Sequence, residues 1–233
     1  MTSTVLITGA NRGLGLEMAR QYAQAGWDVV ACCREPENAQ QLSRLAQQFQ
    51  DSVFVHPLDV TDFERIDRLS SELSVRSIDV LVNNAGVYGD TASTCFGSID
   101  YIRWQHVFAV NTLAPVKMAE AFMPHIARGH HKLIVTLTSL MGSIADNKGG
   151  GSIMYRSSKA GLNAALKSMA IDLKSRGVGV LIVHPGWVKT DMGGEKAPTS
   201  AEDSVRGLRH LIEQFTPEDS GRFLDFRGTE LPW

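Results

Sequence analysis

The feature that most constrains this chain is a repeated alternation of two patterns. Short apolar runs occur at Val5–Thr8, Val29–Cys33, Val53–His56, Val80–Asn83, Leu133–Thr138, Val178–Val183 and Phe223–Phe226. Between them lie longer stretches of helical period near Gly13–Ala25, Glu37–Phe49, Phe63–Ser74, Tyr101–Ala127, Ile153–Ser175 and Ala201–Gln214. Strands that are apolar on both faces need cover on both faces. Strands alternating with helices form right-handed βαβ units. The expected fold class is therefore α/β, a three-layer sandwich with a mostly parallel, doubly wound sheet and helices on both faces. No internal repeat, low-complexity tract or Pro/Ser linker interrupts the pattern, so residues 1–233 read as a single domain. The Gly149-Gly150-Gly151 run is a loop or hinge, because regular pattern resumes directly after it.

Charge and composition exclude several classes. A net charge of −2 over 233 residues argues against an electrostatic nucleic-acid binder. No apolar run approaches 18 residues, and Met1-Thr2-Ser3-Thr4 leads straight into a strand without a basic leader, so the expectation is a cytoplasmic protein with no membrane span. The three cysteines, Cys32, Cys33 and Cys95, cannot all pair and lack metal-ligand spacing. They read as small hydrophobes in a reducing compartment, with no metal site. Cys32 and Cys33, adjacent in one strand, should point to opposite faces of the sheet.

The first chemical signal is Thr8-Gly9-Ala10-Asn11-Arg12-Gly13-Leu14-Gly15, between the first strand and the first helix. Glycines there let the backbone turn sharply and approach a pyrophosphate, to which the helix N-terminus presents free N–H groups and a positive dipole. A turn needed only for close helix–strand packing would look similar, but strand-to-helix context favours phosphate. Further pieces follow: Asn83-Asn84-Ala85-Gly86, Asn111, Ser139, Tyr155-Arg156-Ser157-Ser158-Lys159, and Pro185-Gly186 with Thr190 beyond. In this order the chain resembles the short-chain dehydrogenase/reductase family over nearly its whole length. Within that family, His184–Gly194, Thr216–Phe223 and the Pro232-Trp233 ending resemble small reductases of the C-factor and sniffer type. The resemblance implies a Rossmann-type, seven-stranded sheet in the order 3-2-1-4-5-6-7 and an NAD(P)-dependent oxidoreductase.

The resemblance also implies cofactor contacts from Gly9, Asn11, Arg12, Gly13, Leu14 and Gly15 at the turn, and from Asn83, Ala85 and Gly86 after the fourth strand. Asn83 could equally brace the sheet. Asp59 would bond the adenine amino group and the Val60 amide the ring; a helix-cap role fits Thr61 or Asp62 better. The second strand ends Cys33-Arg34, with the first carboxylate at Glu35. An acidic residue at that end would bond the ribose hydroxyls and repel a 2′-phosphate, whereas an arginine forks onto phosphate. Arg34, with Arg12 reaching the same group, therefore favours NADP(H) over NAD(H). The competing arrangement has Arg34 solvating the strand end and Glu35 taking the ribose.

Carbonyl reduction needs a positioned hydride, a proton donor at the developing alkoxide and hydrogen bonds that fix the carbonyl. Tyr155 and Lys159, four apart, share a helix face. A cation about 4 Å away at an effective dielectric near 20 would favour tyrosinate by about 4 kcal/mol before solvation losses. That would bring the phenol down by up to roughly three pH units. By resemblance Lys159 also holds the nicotinamide ribose, Ser139 bonds the substrate carbonyl, and Asn111 holds a water that relays protons. Asn111 could instead only kink its helix. Ser139 stands sixteen positions before Tyr155, more than is usual in the family, and Ser143 stands at twelve. Ser139 is preferred because it directly ends a strand, where sheets place catalytic groups.

Pro185 and Gly186 would let the chain pass over the nicotinamide, with Val188 and Thr190 at its carboxamide and Trp187 as cover. Gly186, Gly193 and Gly194 read as hinges of a short lid. His130, His131 and His184 read as structural. The helices at Tyr101–Ala127 and Ile153–Ser175, rich in Ala and Met, suit isologous packing into a homodimer or homotetramer. Leu231-Pro232-Trp233 could pack on a neighbouring subunit or on its own chain. The small-molecule partner is a carbonyl or alcohol. The rival reading, from the C-factor resemblance, is a dinucleotide-binding regulator with little turnover.

Overall fold

The computed structural model describes residues 2–91 and 94–233. Seven strands form one sheet: β1 (Thr4–Thr8), β2 (Asp28–Cys33), β3 (Val53–Pro57), β4 (Val80–Asn83), β5 (Leu133–Leu137), β6 (Gly179–His184) and β7 (Phe223–Asp225). Their order is β3-β2-β1-β4-β5-β6-β7, and each neighbouring pair is parallel. The order reverses between β1 and β4, which opens a crevice at the strands' carboxyl ends.

Pleating divides each strand between two cores. Val5, Ile7, Val29, Ala31 and Cys33 pack under α1 (Gly13–Gln24), α2 (Gln40–Gln48) and α7 (Ala201–Glu213). Leu6, Val30, Cys32, Ile134 and Val180 pack under α3 (Phe63–Glu72), α5 (Ala114–Arg128) and α6 (Ile153–Leu173). Cys32 and Cys33 thus face opposite layers, as period-two alternation requires. Among the described residues, no helix is long and apolar enough to cross a membrane. Trp233 packs on its own chain, with its ring centroid 5.5 Å from that of Phe223.

One expected element is broken. The stretch read as a continuous helix from Tyr101 to Ala127 is α4 (Tyr101–Phe108), a wider π turn (Ala109–Leu113) and then α5. Pro115, in the first turn of α5, has no N–H to give the Asn111 carbonyl four residues earlier. The ladder shifts, and the Ala114 N–H reaches back to Ala109 O. Wide turns of this kind recur at functional sites, and this one carries Asn111.

The sheet's amino-terminal edge is held by a buried carboxylate. Asp79, just before β4, accepts from Thr4 N (2.7 Å) and His130 N (2.6 Å). Asp79→Ala orphans both donors and should lower the unfolding free energy by about 2–4 kcal/mol. Urea denaturation monitored by far-UV circular dichroism measures it. A loss below about 0.5 kcal/mol would show that solvent replaces the carboxylate.

Candidate functional site

A cleft of about 420 Å³ runs along the carboxyl ends of the strands. Its floor is the glycine turn. Gly9 and Gly13 adopt φ of +66° and +53°, a left-handed conformation that glycine takes without strain. A side chain on Gly15 would meet Gly9 O at 2.2 Å, so only glycine lets α1 start this close to β1. α1 has no side-chain cap and no acidic residue in its first turn, which leaves its leading N–H groups bare toward the cleft. Gly9, Asn11, Arg12, Gly13 and Leu14 line that region. Gly15 lies behind them, shaping the turn.

After β4 the expected asparagine is displaced by one. Asn84, Ala85 and Gly86 line the cleft. Asn83 is buried off it, donating to Pro115 O and Thr136 Oγ1 (both 3.3 Å). The sheet-bracing role is the one Asn83 takes, because a residue still inside β4 points into the helical layer, not over the sheet edge. Asn84 Nδ2 donates to Thr8 O (2.8 Å) and Gly9 O (3.0 Å). The amides of Asn84 and Ala85 both donate to Thr8 Oγ1 (3.1 Å each). Nothing in the sequence separates one Asn of an Asn-Asn pair from the other except which of them ends the strand.

At the far end of the cleft lie Arg34, Glu35, Asn38, Asp59 and Val60. Asp59 Oδ1 accepts from Thr61 N (2.8 Å) and Thr61 Oγ1 (2.7 Å). Burial alone would raise its pKa, but the Thr61 bonds and the nearby Arg34 charge outweigh burial and hold it below the ordinary carboxylate range. The helix cap after β3 is Asp62, which accepts from Arg65 N. Glu35 accepts from Asn38 (2.9 Å), while Arg34 has no ion-pair partner among the described residues. Arg12 does not turn toward Arg34. Its guanidinium bonds Asp191 at 2.7 Å, and Arg12 and Arg34 both line the cleft. The cause is local: Thr190 lies over Gly13, 3.3 Å from where a Cβ would sit, and brings Asp191 within reach of Arg12. His106 and Met192, not singled out by sequence, also line the cleft.

The third region gathers the polar side chains. Tyr155 and Lys159 lie on the cleft face of α6. Lys159 Nζ donates to Leu137 O at 2.8 Å and stands 5.9 Å from the Tyr155 ring centroid. Burial pushes the Tyr155 phenol up to about 12; its hydrogen bond with Ser139 lowers it in part, and Tyr88 raises it further. Burial brings the Lys159 ammonium down to about 8. The expected lowering of the phenol by Lys159 is therefore absent in the free protein. Desolvation of both groups exceeds their mutual attraction, and the ammonium is directed at a carbonyl.

Of the two candidate serines, Ser139 bonds Tyr155 and also accepts from Met141 N (3.1 Å). Ser143 is buried and accepts from Asp146 N (3.0 Å), which commits it to the loop. Asn111 is fully buried. Its amide pairs with Val87 N (2.9 Å) and Val87 O (2.8 Å) and donates to Ser158 Oγ (3.0 Å). Its side chain is thus wholly occupied by protein.

Over the top, Pro185, Thr190, Asp191 and Met192 line the cleft. Gly186 and Val188 lie outside that lining. Gly186 (φ +87°) packs beneath Phe226, which a Cβ would meet at 2.9 Å. Val188 is buried in a short bridge with Thr199. Trp187 Nε1 ties the lid to Gly193 O (2.7 Å). Burial lowers the pKa of His184 to about 4, against the opposing pull of Asp225, so this imidazole is neutral near pH 7.

A family model described as short chain dehydrogenase matches residues 3–201. The chain belongs to the short-chain dehydrogenase family. As such it is an NAD(P)-dependent dehydrogenase/reductase. It is 46% identical over 156 residues to the C-signal of Myxococcus xanthus, covering 67% of this chain and 93% of that protein. It is similar in structure to the carbonyl reductase Sniffer of D. melanogaster, with a TM-score of 0.91, 31% identity and complete coverage of both chains. An NADPH-bound carbonyl reductase from chicken fatty liver matches equally well, at TM-score 0.91 and 31% identity, covering 100% of this chain and 99% of that one. The bare α1 terminus and the glycine cradle fit the dinucleotide that this family uses.

The state of Lys159 sets a pH dependence. Its pKa lies near 8 in the folded protein, below the ordinary 10.5. Below about pH 8 both folded and unfolded chains carry the proton, and the burial penalty is complete. Between about 8 and 10.5 the unfolded chain binds more protons, so this group makes stability rise with pH. Chemical denaturation of wild type and Lys159→Met across pH 7–10 should show this added rise only in the wild type. Identical pH profiles would refute the lowered pKa.

Proposed function

We propose that this chain is an NADPH-dependent carbonyl reductase that converts an aldehyde, ketone or quinone to an alcohol. The observation that carries the reading is one cleft with a bare helix N-terminus at its centre and the Tyr155–Ser139–Lys159 group at its end. The similarity to carbonyl reductases supports the reaction class.

When bound, the reduced nicotinamide supplies the hydride. The N–H groups of Gly13 and Leu14 hold the pyrophosphate, with Gly15 shaping the turn. Arg34, without an ion-pair partner among the described residues, takes the 2′-phosphate. Asp59 and Val60 hold the adenine, Ala85 and Gly86 line the sugar backbone, and Thr190 holds the carboxamide. Lys159 holds the ribose hydroxyls. Ser139 donates to the substrate oxygen and keeps it beside the Tyr155 hydroxyl. Tyr155 gives its proton to that oxygen as the carbon–oxygen double bond becomes a single bond. A phenol near pKa 12 in the free site stays protonated, so the donor is loaded before substrate arrives. Lys159 and a water on the Asn111 carbonyl return the proton.

A second reading, a dinucleotide-binding regulator, is favoured by the 46% identity to the C-signal. Tyr155, Ser139 and Lys159 in one buried group speak for chemistry instead, since a sensor has no use for a loaded donor.

NADPH consumption against a panel of aldehydes, ketones and quinones tests the reading. Tyr155→Phe should lower turnover by about 10²–10⁴-fold, the range for a positioned general acid. Activity that survives intact would refute the tyrosine mechanism. Ser139→Ala should abolish most turnover, and Ser143→Ala should spare it; the reverse pattern would exchange their roles. Arg34→Asp should weaken NADPH binding by about 10–100-fold, the worth of a charge-assisted pair. NADH binding should change little, and equal losses would contradict the assignment.

A further inference from the structure

The loop after β4 reaches α6 at the turn that carries Tyr155. Asp90 Oδ2 accepts from Tyr155 N at 2.8 Å and Oδ1 from Met154 N at 3.3 Å. α6 has no cap of its own: Ser152, at its N-cap position, is left-handed (φ 47°, ψ 44°) and makes no side-chain cap bond. Ser152 instead meets Tyr88, with Tyr88 OH 2.7 Å from Ser152 Oγ. The Tyr88 ring lies against Tyr155, centroids 4.9 Å apart. Gly89 between them has φ +80°, and a Cβ there would fall 2.2 Å from Val107 Cγ2. The loop is thus wedged between α4 and α6 in a conformation that only glycine can occupy, with Tyr88 and Asp90 both turned onto the first turn of α6.

We propose that Asp90 is a positioning residue for Tyr155, its carboxylate capping α6 from a remote loop and fixing where the phenol stands in the cleft. The carboxylate satisfies two helix-terminal N–H groups and places negative charge at the positive end of the helix dipole. Lys159, one turn further on, has its own anchor in Leu137 O. Loss of the Asp90 clamp therefore displaces the phenol and leaves the ammonium in place. This separation predicts an effect on kcat without an equal effect on NADPH binding. The inference rests on the reading of Tyr155 as proton donor.

The test compares wild type, Asp90→Asn and Asp90→Ala. Asn keeps one acceptor oxygen in the same shape; Ala keeps none. Hydrogen–deuterium exchange of the cofactor-free protein reads the cap directly. A peptide spanning residues 152–158 should exchange at least about tenfold faster in Asp90→Ala and at an intermediate rate in Asp90→Asn, while β1 peptides stay unchanged. In NADPH turnover, Asp90→Ala should lower kcat by about 10–100-fold, the scale of an ångström-sized misplacement. KM for NADPH should stay within about twofold, and Asp90→Asn should recover most of kcat. Unaltered exchange in Asp90→Ala overturns the cap. Faster exchange with kcat within twofold of wild type overturns the positioning role. A joint collapse of kcat, NADPH affinity and β1 protection in both variants assigns Asp90 a general structural role and also overturns it. Failure of the reductase reading looks different: Tyr155→Phe keeps full turnover whatever the Asp90 variants do, and the exchange data still decide the cap.

Discussion

The side-chain amide of Asn84 bonding the carbonyls of Thr8 and Gly9 is the interaction on which the working edge of this molecule depends. It joins β1 to the strand beside it at the point where the sheet changes direction. With those carbonyls satisfied from the side, the chain can turn immediately into α1. The missing Cβ of Gly15, which would otherwise collide with Gly9 O, allows the helix to begin against the sheet. The α1 amides are then left without protein partners, facing a cleft. A phosphate site is what remains when the backbone solves every other hydrogen bond in this turn and leaves those.

Burial has opposite effects on the two groups at the other end of the cleft. Desolvation disfavours whichever form is charged, so it raises the Tyr155 phenol and lowers the Lys159 ammonium. Both changes push the pair toward neutrality. The Leu137 carbonyl and the Ser139 hydroxyl keep this neighbourhood polar enough to function. Low dielectric is the condition under which one added charge, on a substrate oxygen or in the cleft, is felt strongly by both.

Fold class, strand order and the two-sided core were legible in the sequence because they follow from patterns spread over many residues. The alternation of apolar runs and helical stretches survives small errors in any one boundary. Cleft-lining positions were legible where a motif ties a residue to a strand end or a helix face, as with Gly9, Gly13, Tyr155 and Lys159. Misplacements occurred where one residue's step decides the direction of a side chain. Asn83 and Asn84 differ only in which still belongs to β4. The Arg12–Asp191 pair was not legible because the two residues stand 179 positions apart. The π turn at Asn111 was hidden because Pro115 in a first helical turn is ordinary, and its effect four residues upstream appears only in three dimensions. Asp90 carried no motif at all.

The segment between Ser143 and α6 is fastened unevenly. At its start Ser143 holds Asp146, and at its end Asp90 and Tyr88 hold the first turn of α6. Between these anchors, side chains added at Gly149, Gly150 and Gly151 would touch nothing within 4 Å. Gly150 and Gly151 take φ of +66°, so backbone conformation rather than packing ties these positions to glycine. The fold thus sets a firmly held Tyr155 turn beside a glycine run with open space around it.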